Sequence, residues 1–188
     1  MKKYKYKNLT KDYLKRAAYR YLEKYATSEA NLIFILTRKA DKIIAEDEKQ
    51  SDNREHVTEW VKEITASCVK SNLVNDRLYA EAKVNSFLNA GNSLAIMKNK
   101  LRAKGVPTEI ISDVINVVSL KKPNINMQSC IKYARKRRFG PFRTRSIQET
   151  TEKKEQGAMA RAGFSYAESH KVLKGSREEL EDILYENQ

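Results

Sequence analysis

The sequence predicts an all-α protein that forms an elongated array of three tandem three-helix units. Apolar residues recur at helical spacing along most of the chain, and no segment shows the strict alternation of a strand. Three prolines and six glycines in 188 residues favour helices joined by short turns. Helix-ending residues also recur at regular distances along the chain, which indicates an internal repeat of helical units.

A basic N-terminal arm is expected at residues 1–9, followed by the first three-helix unit at residues 10–72. Ser28 is a suitable N-cap for the second helix, because a serine hydroxyl accepts a backbone N–H of the first turn. A polar, acidic loop near residues 46–55 separates the second helix from the third. The side chains expected to face the core of this unit are Tyr13 or Leu14, Ala17, Tyr21, Tyr25, Leu32, Ile35, Leu36, Ile43, Val57, Val61, Ile64, and Cys68 or Val69.

The second unit is expected at residues 73–120 and has a helix-breaking residue at each joint. Asp76 is predicted to cap its first helix, and Gly91 to close that helix in the left-handed conformation. Gly105 is predicted to end the second helix in the same way, and Pro107 to open the third, where a missing N–H costs no hydrogen bond. The expected inward residues are Leu78, Ala82, Phe87, Leu94, Met97, Leu101, Ile110, Ile111, Val114, Val117 and Val118.

The third unit is expected at residues 121–188, together with a C-terminal tail. Its first helix is predicted to end at Gly140 and Pro141, between two phenylalanines. Ser165 and Glu168 are predicted to form a capping box at the start of its last helix. The pairs that superpose when the first unit is moved forward by 65 residues and the second by 58 include Leu14 with Tyr79, Ser28 with Ser93, Leu32 with Met97, Leu36 with Leu101, Gly105 with Gly163, and Val106 with Phe164.

The chain carries a net charge of +13, which favours a polyanionic partner through electrostatic steering and counterion release. One basic cluster flanks the apolar stripe of the second unit's second helix, and a denser one surrounds the glycine and proline of the third unit. The candidate phosphate-binding residues are Lys98, Lys100, Arg102, Lys104, Arg135, Lys136, Arg137, Arg138, Arg143 and Arg145. Simple solvation of these charges, with Phe139 and Phe142 filling the core, is the open alternative.

No enzyme activity is predicted. His56 and His170 lack cysteine or carboxylate partners at metal-ligand spacing, and the glycine loops that cradle nucleotide phosphates are missing, so neither a metal nor a cofactor is expected. Cys68 and Cys130 are expected to be reduced, buried hydrophobic residues. No segment approaches the roughly 20 apolar residues that cross a bilayer, and no signal peptide is evident, so a cytoplasmic location without membrane contact is expected.

Four stretches resemble the RecX family: LVNDRLYAEAKVNSFLNAG and LRAKGV in the second unit, and RKRRFGPFR and MARAGFSYAESHKVL in the third. The resemblance implies a curved chain of three three-helix units. It also implies a regulatory protein that lies in the groove of the RecA recombinase filament on single-stranded DNA. Such a protein inhibits the ATPase, strand-exchange and coprotease activities of RecA in DNA repair and SOS control.

The leading hypothesis is therefore a binding protein, expected to be a monomer, that spans neighbouring RecA protomers and opposes the movements accompanying ATP turnover. The basic clusters are then candidate filament contacts. The alternative is an autonomous helical nucleic-acid-binding module, in which the arginine-rich cluster and the basic arm bind phosphates without RecA. The ATPase activity of RecA on single-stranded DNA separates the two hypotheses.

Overall fold

The computed structural model describes residues 8–47, 50, 53–144, 146 and 148–185. These described residues form ten α-helices and one 3₁₀ turn and contain no strand, so the all-α class is confirmed. The elements are α1 (Lys11–Leu22), α2 (Glu29–Glu46), α3 (Arg54–Lys70), α4 (Asp76–Asn89), α5 (Leu94–Arg102), α6 (Thr108–Lys121), α7 (Ile125–Arg137), the 3₁₀ turn (Gly140–Phe142), α8 (Thr151–Arg161), α9 (Tyr166–Lys174) and α10 (Arg177–Tyr185).

The elements pack as two compact units. The first contains Met1–Tyr79 and Lys104–Pro107, and the second contains Ala80–Ala103 and Thr108–Gln188. Helix α4 therefore begins in the first compact unit and continues in the second. The division into three tandem three-helix units, with the boundaries given above, stays a prediction.

In the first compact unit, α1, α2 and α3 enclose an apolar core. The buried residues that helical spacing predicts there are Leu14, Ala17, Leu32, Leu36, Ile43, Val57, Val61, Ile64 and Cys68. The expected inward position of Tyr25 is wrong, because α1 ends at Leu22 and leaves the Tyr25 ring 57% exposed. The amphipathic pattern thus locates the core but extends α1 too far.

Two predicted features of this part of the chain lie partly outside the residues that the structure describes. Residues 1–7 of the expected basic arm lie outside the described residues, as do residues 48–49 and 51–52 of the expected acidic loop. Leu9, the last residue of that arm, is 2% exposed, and its N–H donates to Oε1 of Gln50 across 2.5 Å. Leu9 therefore belongs to the core of the first compact unit.

A second apolar core lies in the second compact unit among α7, α8, α9 and α10, and includes Cys130, Ile131, Met159, Phe164, Val172 and Leu180. The helix that follows Ser165 is not the last one, contrary to the prediction, because α10 follows it. The N–H of Ser176 donates to Glu179, and the N–H of Glu179 donates back to the Ser176 hydroxyl oxygen. This capping box at the start of α10 is visible in the sequence as S-x-x-E.

Helices α5 and α6 confirm most of their predicted inward residues. Met97 and Leu101 of α5 are at most 1% exposed, and Ile111 of α6 is 2% exposed. Helix α6 begins directly after Pro107, as predicted. Val117 of α6 is not inward, because it is 45% exposed.

Helix α4 corrects two predictions. Leu78 and Ala82 are exposed, and the buried residues of α4 are instead Tyr79, Ala80, Val84 and Leu88. Apolar side chains lie on two faces of this helix, and tertiary contacts select the face that spacing did not favour. Asn75, rather than Asp76, caps α4 by accepting the N–H of Leu78, while Asp76 accepts the N–H of Glu29 at the start of α2.

A specific joint connects the start of α2 to the segment before α6, within the first compact unit. Ser28 accepts the N–H of Asn31 and so caps α2, while its own hydroxyl donates to the carbonyl of Lys104. Gly105 follows with φ +72°, as predicted, and a Cβ on Gly105 would lie 2.4 Å from the Cβ of Ala30. A side chain larger than hydrogen does not fit there.

The same joint occurs between the start of α5 and the end of α8, within the second compact unit. Ser93 caps α5 and donates its hydroxyl to the carbonyl of Ala162 across 2.6 Å. Gly163 follows with φ +78°, and a Cβ there would lie 2.6 Å from the Ser93 hydroxyl oxygen and 3.2 Å from the Cβ of Ala95. The serine, glycine and alanine recur together, so the residue pairs of the predicted repeat make equivalent contacts.

Candidate phosphate-binding site

Three helices of the second compact unit, α5, α7 and α8, end around one concave surface of about 610 Å³. Each helix has basic residues in its last turn. Such residues stabilise a helix because its unbonded C-terminal carbonyls carry partial negative charge. We call this surface the cationic hollow, and its lining includes Lys100, Lys136, Arg137, Arg161, Asn92 and Tyr133.

Among the described residues that line the hollow there are four exposed cations, from Lys100, Lys136, Arg137 and Arg161, and no carboxylate. Within the described part of the chain, none of the four forms a salt bridge. The three helix C-termini offset only about half a charge each. The hollow therefore keeps a net positive charge and is suited to bind phosphate or carboxylate groups.

Aromatic rings position two of the four cations. Nζ of Lys100 donates to Oδ1 of Asn92 across 2.8 Å and lies 4.9 Å from the ring centroid of Phe87. The Arg137 guanidinium lies 5.7 Å from the ring centroid of Tyr133, and its Nε donates to the Tyr133 hydroxyl oxygen across 3.4 Å. Because these contacts restrict the side chains in advance, less conformational entropy is lost when an anion binds.

The joint between α4 and α5 closes one side of the hollow, and it depends on Gly91. Gly91 has φ +72°, the left-handed conformation that the sequence predicts. A Cβ on Gly91 would lie 3.1 Å from both the Cβ of Lys132 and the backbone nitrogen of Tyr133. Glycine thus lets the α4–α5 joint approach α7 closely, which places the α5 cation beside those of α7.

Helix α7 ends at Arg137, before the predicted end at Gly140 and Pro141. Arg138 takes the left-handed conformation with φ 59° and ψ 49°, and the N–H of Phe139 donates to a carbonyl in the last turn of α7. Gly140 and Pro141 instead belong to the 3₁₀ turn. Left-handed backbone costs a residue other than glycine about 1–2 kcal/mol, so Arg138 occupies a strained position.

Arg143 forms an ion pair with the buried side chain of Glu155. Its Nε and Nη2 each donate to the carboxylate of Glu155 across 2.7 Å, and the two side chains are 15% and 7% exposed. Glu155 also accepts the N–H of Gly140 across 3.0 Å. The hydrogen bond with Glu155 raises the pKa of Arg143, which keeps the guanidinium charged. Arg143 thus makes a structural contact between the 3₁₀ turn and α8, and its predicted phosphate contact stays a prediction.

The other predicted cations that the structure describes lie outside the hollow. Lys98 and Arg102 are exposed on α5, and Lys104 belongs to the first compact unit. Arg135 lines a separate surface beside the end of α10. Arg145 lies outside the described residues. Of the two basic clusters predicted from the sequence, the one on α5 thus contributes Lys100 to the hollow. The one before Gly140 contributes Lys136 and Arg137.

Two residues of the hollow, Arg161 and Tyr133, are missing from the sequence-based candidates. Arg161 ends α8 shortly before Gly163, just as Arg102 ends α5 shortly before Gly105. A basic residue in the last turn before a helix-ending glycine was the available signal. Tyr133 precedes Arg137 by four residues, the spacing at which helix side chains meet.

The structure also bears on other kinds of site. Among the described residues, no group of three or more His, Cys, Asp or Glu side chains could hold a metal ion. No helix in that part of the chain combines the length and apolar character that crossing a membrane requires. Cys68 and Cys130 are buried thiols, as predicted. Burial raises the pKa of Cys68 and raises that of Cys130 to about 12.

Comparison with known proteins finds relatives of this chain, although no protein-family model matches it. It is similar to the regulatory protein RecX of Myxococcus xanthus, with 34% identity over 163 residues, which cover 86% of this chain and 84% of the relative. It is also similar to the regulatory protein RecX of Agrobacterium fabrum, with 37% identity over 111 residues, which cover 59% of this chain and 57% of the relative.

Solved structures share the fold. A crystal structure of regulatory protein RecX matches with a TM-score of 0.61 and 22% identity, over 86% of this chain and 70% of that one. The crystal structure of RecX from Lactobacillus salivarius matches with a TM-score of 0.60 and 19% identity, over 91% of this chain and 96% of that one. At these identities the likeness concerns the fold.

Proposed function

The chain belongs to the RecX family of regulatory proteins, and on this basis we propose that it binds the RecA filament on single-stranded DNA and inhibits it. The inhibited activities are the ATPase, strand exchange and the coprotease, in DNA repair and SOS control. The observation that carries the proposal is the 34% identity to a RecX protein over most of both chains. The protein acts by binding RecA rather than by catalysis.

The cationic hollow is the proposed contact with the filament. A positive surface attracts the DNA polyanion by electrostatic steering and by releasing condensed counterions. Arg137 and Arg161 can each bind two oxygens of one phosphate or carboxylate, whereas Lys100 and Lys136 act as point charges. Four cations around one hollow support recognition of several anionic groups at once, and such binding weakens as salt concentration rises.

Inhibition follows if the bound protein favours one filament conformation. A ligand shifts a conformational equilibrium only by its difference in affinity for the two states. We propose that the helical units, arranged in tandem as the sequence predicts, contact neighbouring RecA protomers. In that position the protein opposes the change in filament geometry that accompanies each ATP cycle.

The test is ATP hydrolysis by RecA on circular single-stranded DNA, with this protein added below the concentration of RecA. The proposal expects the steady-state rate to fall. RecA without DNA, measured in parallel, shows how much of the effect requires the filament. An unchanged ATPase rate, together with tight and salt-sensitive binding to bare DNA, contradicts the proposal and supports the autonomous nucleic-acid-binding module instead.

A further inference from the structure

A second concave surface of the second compact unit lies between α4, α6 and α7, with a volume of about 470 Å³. We call it the α6 groove. Each of these helices contributes residues at positions i, i+3 or i+4, and i+7 or i+8, so each helix presents a single face. The proposed filament contact does not include this groove, and only some of its lining residues belong to the buried core.

The floor of the α6 groove is apolar. Val114, Val117 and Val118 of α6 form most of it, with Leu88 of α4 and Ile125 of α7 beside them. Val114 is 2% exposed, but Val117 on the next turn is 45% exposed. The apolar stripe of α6 therefore continues beyond the part that the core covers. Among the described lining residues there is no aromatic side chain.

The rim of the α6 groove is basic. The described lining residues include three lysines: Lys121 at the end of α6, Lys122 directly after it, and Lys132 on α7. They include one carboxylate, that of Glu81 on α4. None of these lysines forms a salt bridge with another described residue. The groove thus combines an apolar floor with three positive charges against one negative charge.

We propose that the α6 groove binds an acidic peptide segment of a partner protein. Apolar side chains of the segment contact the valines, and its carboxylates pair with the rim lysines. This combination of an apolar floor and a charged rim is typical of a groove that anchors an amphipathic segment. Charge complementarity selects an acidic segment, because a basic one would place like charges together.

Two other occupants fit the groove less well. A nucleic acid would pair with the lysines but would leave the exposed valine surface without an apolar partner, and the groove offers no ring on which a base could stack. A second copy of this chain would bring together two molecules that each carry a net charge of +13, which opposes association.

The test uses the full chain and a fluorescein-labelled peptide of sequence EELLEELLEE, titrated by fluorescence anisotropy without RecA or DNA. Two comparison peptides replace the leucines by serine or the glutamates by lysine. The groove variant combines Val117→Ser with Lys121→Glu. Its matched control combines Val69→Ser with Lys70→Glu, because Val69 is 39% exposed and Lys70 also lies in the last turn of a helix, α3.

The proposal expects saturable binding of the acidic peptide. The comparison peptides should bind the unchanged protein at least about tenfold more weakly than the acidic peptide does. The groove variant should bind the acidic peptide at least about tenfold more weakly than the unchanged protein, and the control variant should bind it within about twofold of the unchanged protein. Lys132→Glu, on the opposite wall of the groove, is a second variant that should also weaken binding. It replaces the double variant if that protein does not fold. Circular dichroism checks the fold of each variant.

Several outcomes overturn the proposal. If the acidic peptide does not bind, or binds the groove and control variants equally well, the groove is not a peptide-binding site. Equal binding of the serine peptide shows that charge alone acts. If a single-stranded oligonucleotide binds the groove variant more weakly than the control variant, and the acidic peptide does not, the groove is a nucleic-acid site. A dimer in sedimentation velocity that only the groove variant abolishes assigns it to a second copy.

Discussion

Replacing Glu155 by alanine removes the acceptor that holds the 3₁₀ turn against α8. The carboxylate accepts two hydrogen bonds from the Arg143 guanidinium and one from the N–H of Gly140, and the Glu155 side chain is only 7% exposed. Glu155→Ala therefore leaves a guanidinium and an amide without an acceptor where water has little access.

Removing one partner of a buried ion pair costs about 3–5 kcal/mol. The higher helix propensity of alanine returns only a few tenths of a kcal/mol. We therefore expect Glu155→Ala to lower the free energy of unfolding by about 3–5 kcal/mol. The matched control is Glu152→Ala, one turn earlier on α8, where the ion pair with Lys174 joins side chains that are 52% and 53% exposed. Such an exposed pair contributes about 0–1 kcal/mol.

Urea unfolding followed by circular dichroism measures both losses. Hydrogen exchange of the 3₁₀ turn and α8 localises them, which matters because the two compact units can unfold in separate transitions. If Glu155→Ala destabilises the protein no more than Glu152→Ala does, the pair does not hold the turn. Arg143 then has no structural role that competes with phosphate binding.

Three further predictions concern two left-handed backbone positions and the burial of the two thiols. Arg138→Gly should raise the free energy of urea unfolding by up to about 1 kcal/mol, because glycine avoids the cost of the left-handed conformation but loses more backbone entropy on folding. A lower free energy of unfolding would contradict that reasoning. Gly163→Ala should lower the free energy of unfolding by about 2–3 kcal/mol, because Gly163 has a positive φ and a methyl group there would clash with Ser93, the capping serine of α5. The control is Gly157→Ala within α8, where a methyl group has room, and it should be neutral or stabilising. Equal effects of the two alanine changes would argue against the joint. Cys130 and Cys68 should react slowly with Ellman's reagent in the native protein and rapidly in urea, because burial raises the pKa of both thiols. At about pH 8, roughly one Cys130 thiol in ten thousand is ionised. Rapid reaction in the native state would contradict the burial of the two thiols.

Helical periodicity was sufficient where one face of a helix carries the apolar side chains, as in α2, α3 and α5. It failed in α4, because Leu78 and Tyr79 lie on different faces and only contacts with other helices decide which face is buried. The end of α7 was misplaced for a related reason. Glycine and proline mark a turn, but Arg138 takes the left-handed position before either residue is reached.

The candidate site was only partly predictable. Both basic clusters stand out by composition, but their proximity depends on the close approach of Gly91 to α7, a contact between residues far apart in sequence. Arg143 looked like the other arginines of its cluster because its partner, Glu155, lies beyond a turn, at a spacing that no local pattern specifies. Charge density was therefore visible in the sequence, whereas the partner of each charge was not.

The cationic hollow is tested most directly by RecA ATPase inhibition with matched charge-reversal variants. The hollow variant changes three exposed cations, in Lys136→Glu, Arg137→Glu and Arg161→Glu. The control variant makes the same change in net charge on exposed residues of the first compact unit, in Lys24→Glu, Lys62→Glu and Lys70→Glu. Circular dichroism checks whether both variants remain helical.

The concentration of protein that halves the ATPase rate of RecA on single-stranded DNA is the measured quantity. Binding through the hollow predicts that it rises at least about tenfold for the hollow variant and less than about twofold for the control. Equal losses in the two variants would show that net charge alone acts, and unchanged inhibition by the hollow variant would show that the filament is bound elsewhere.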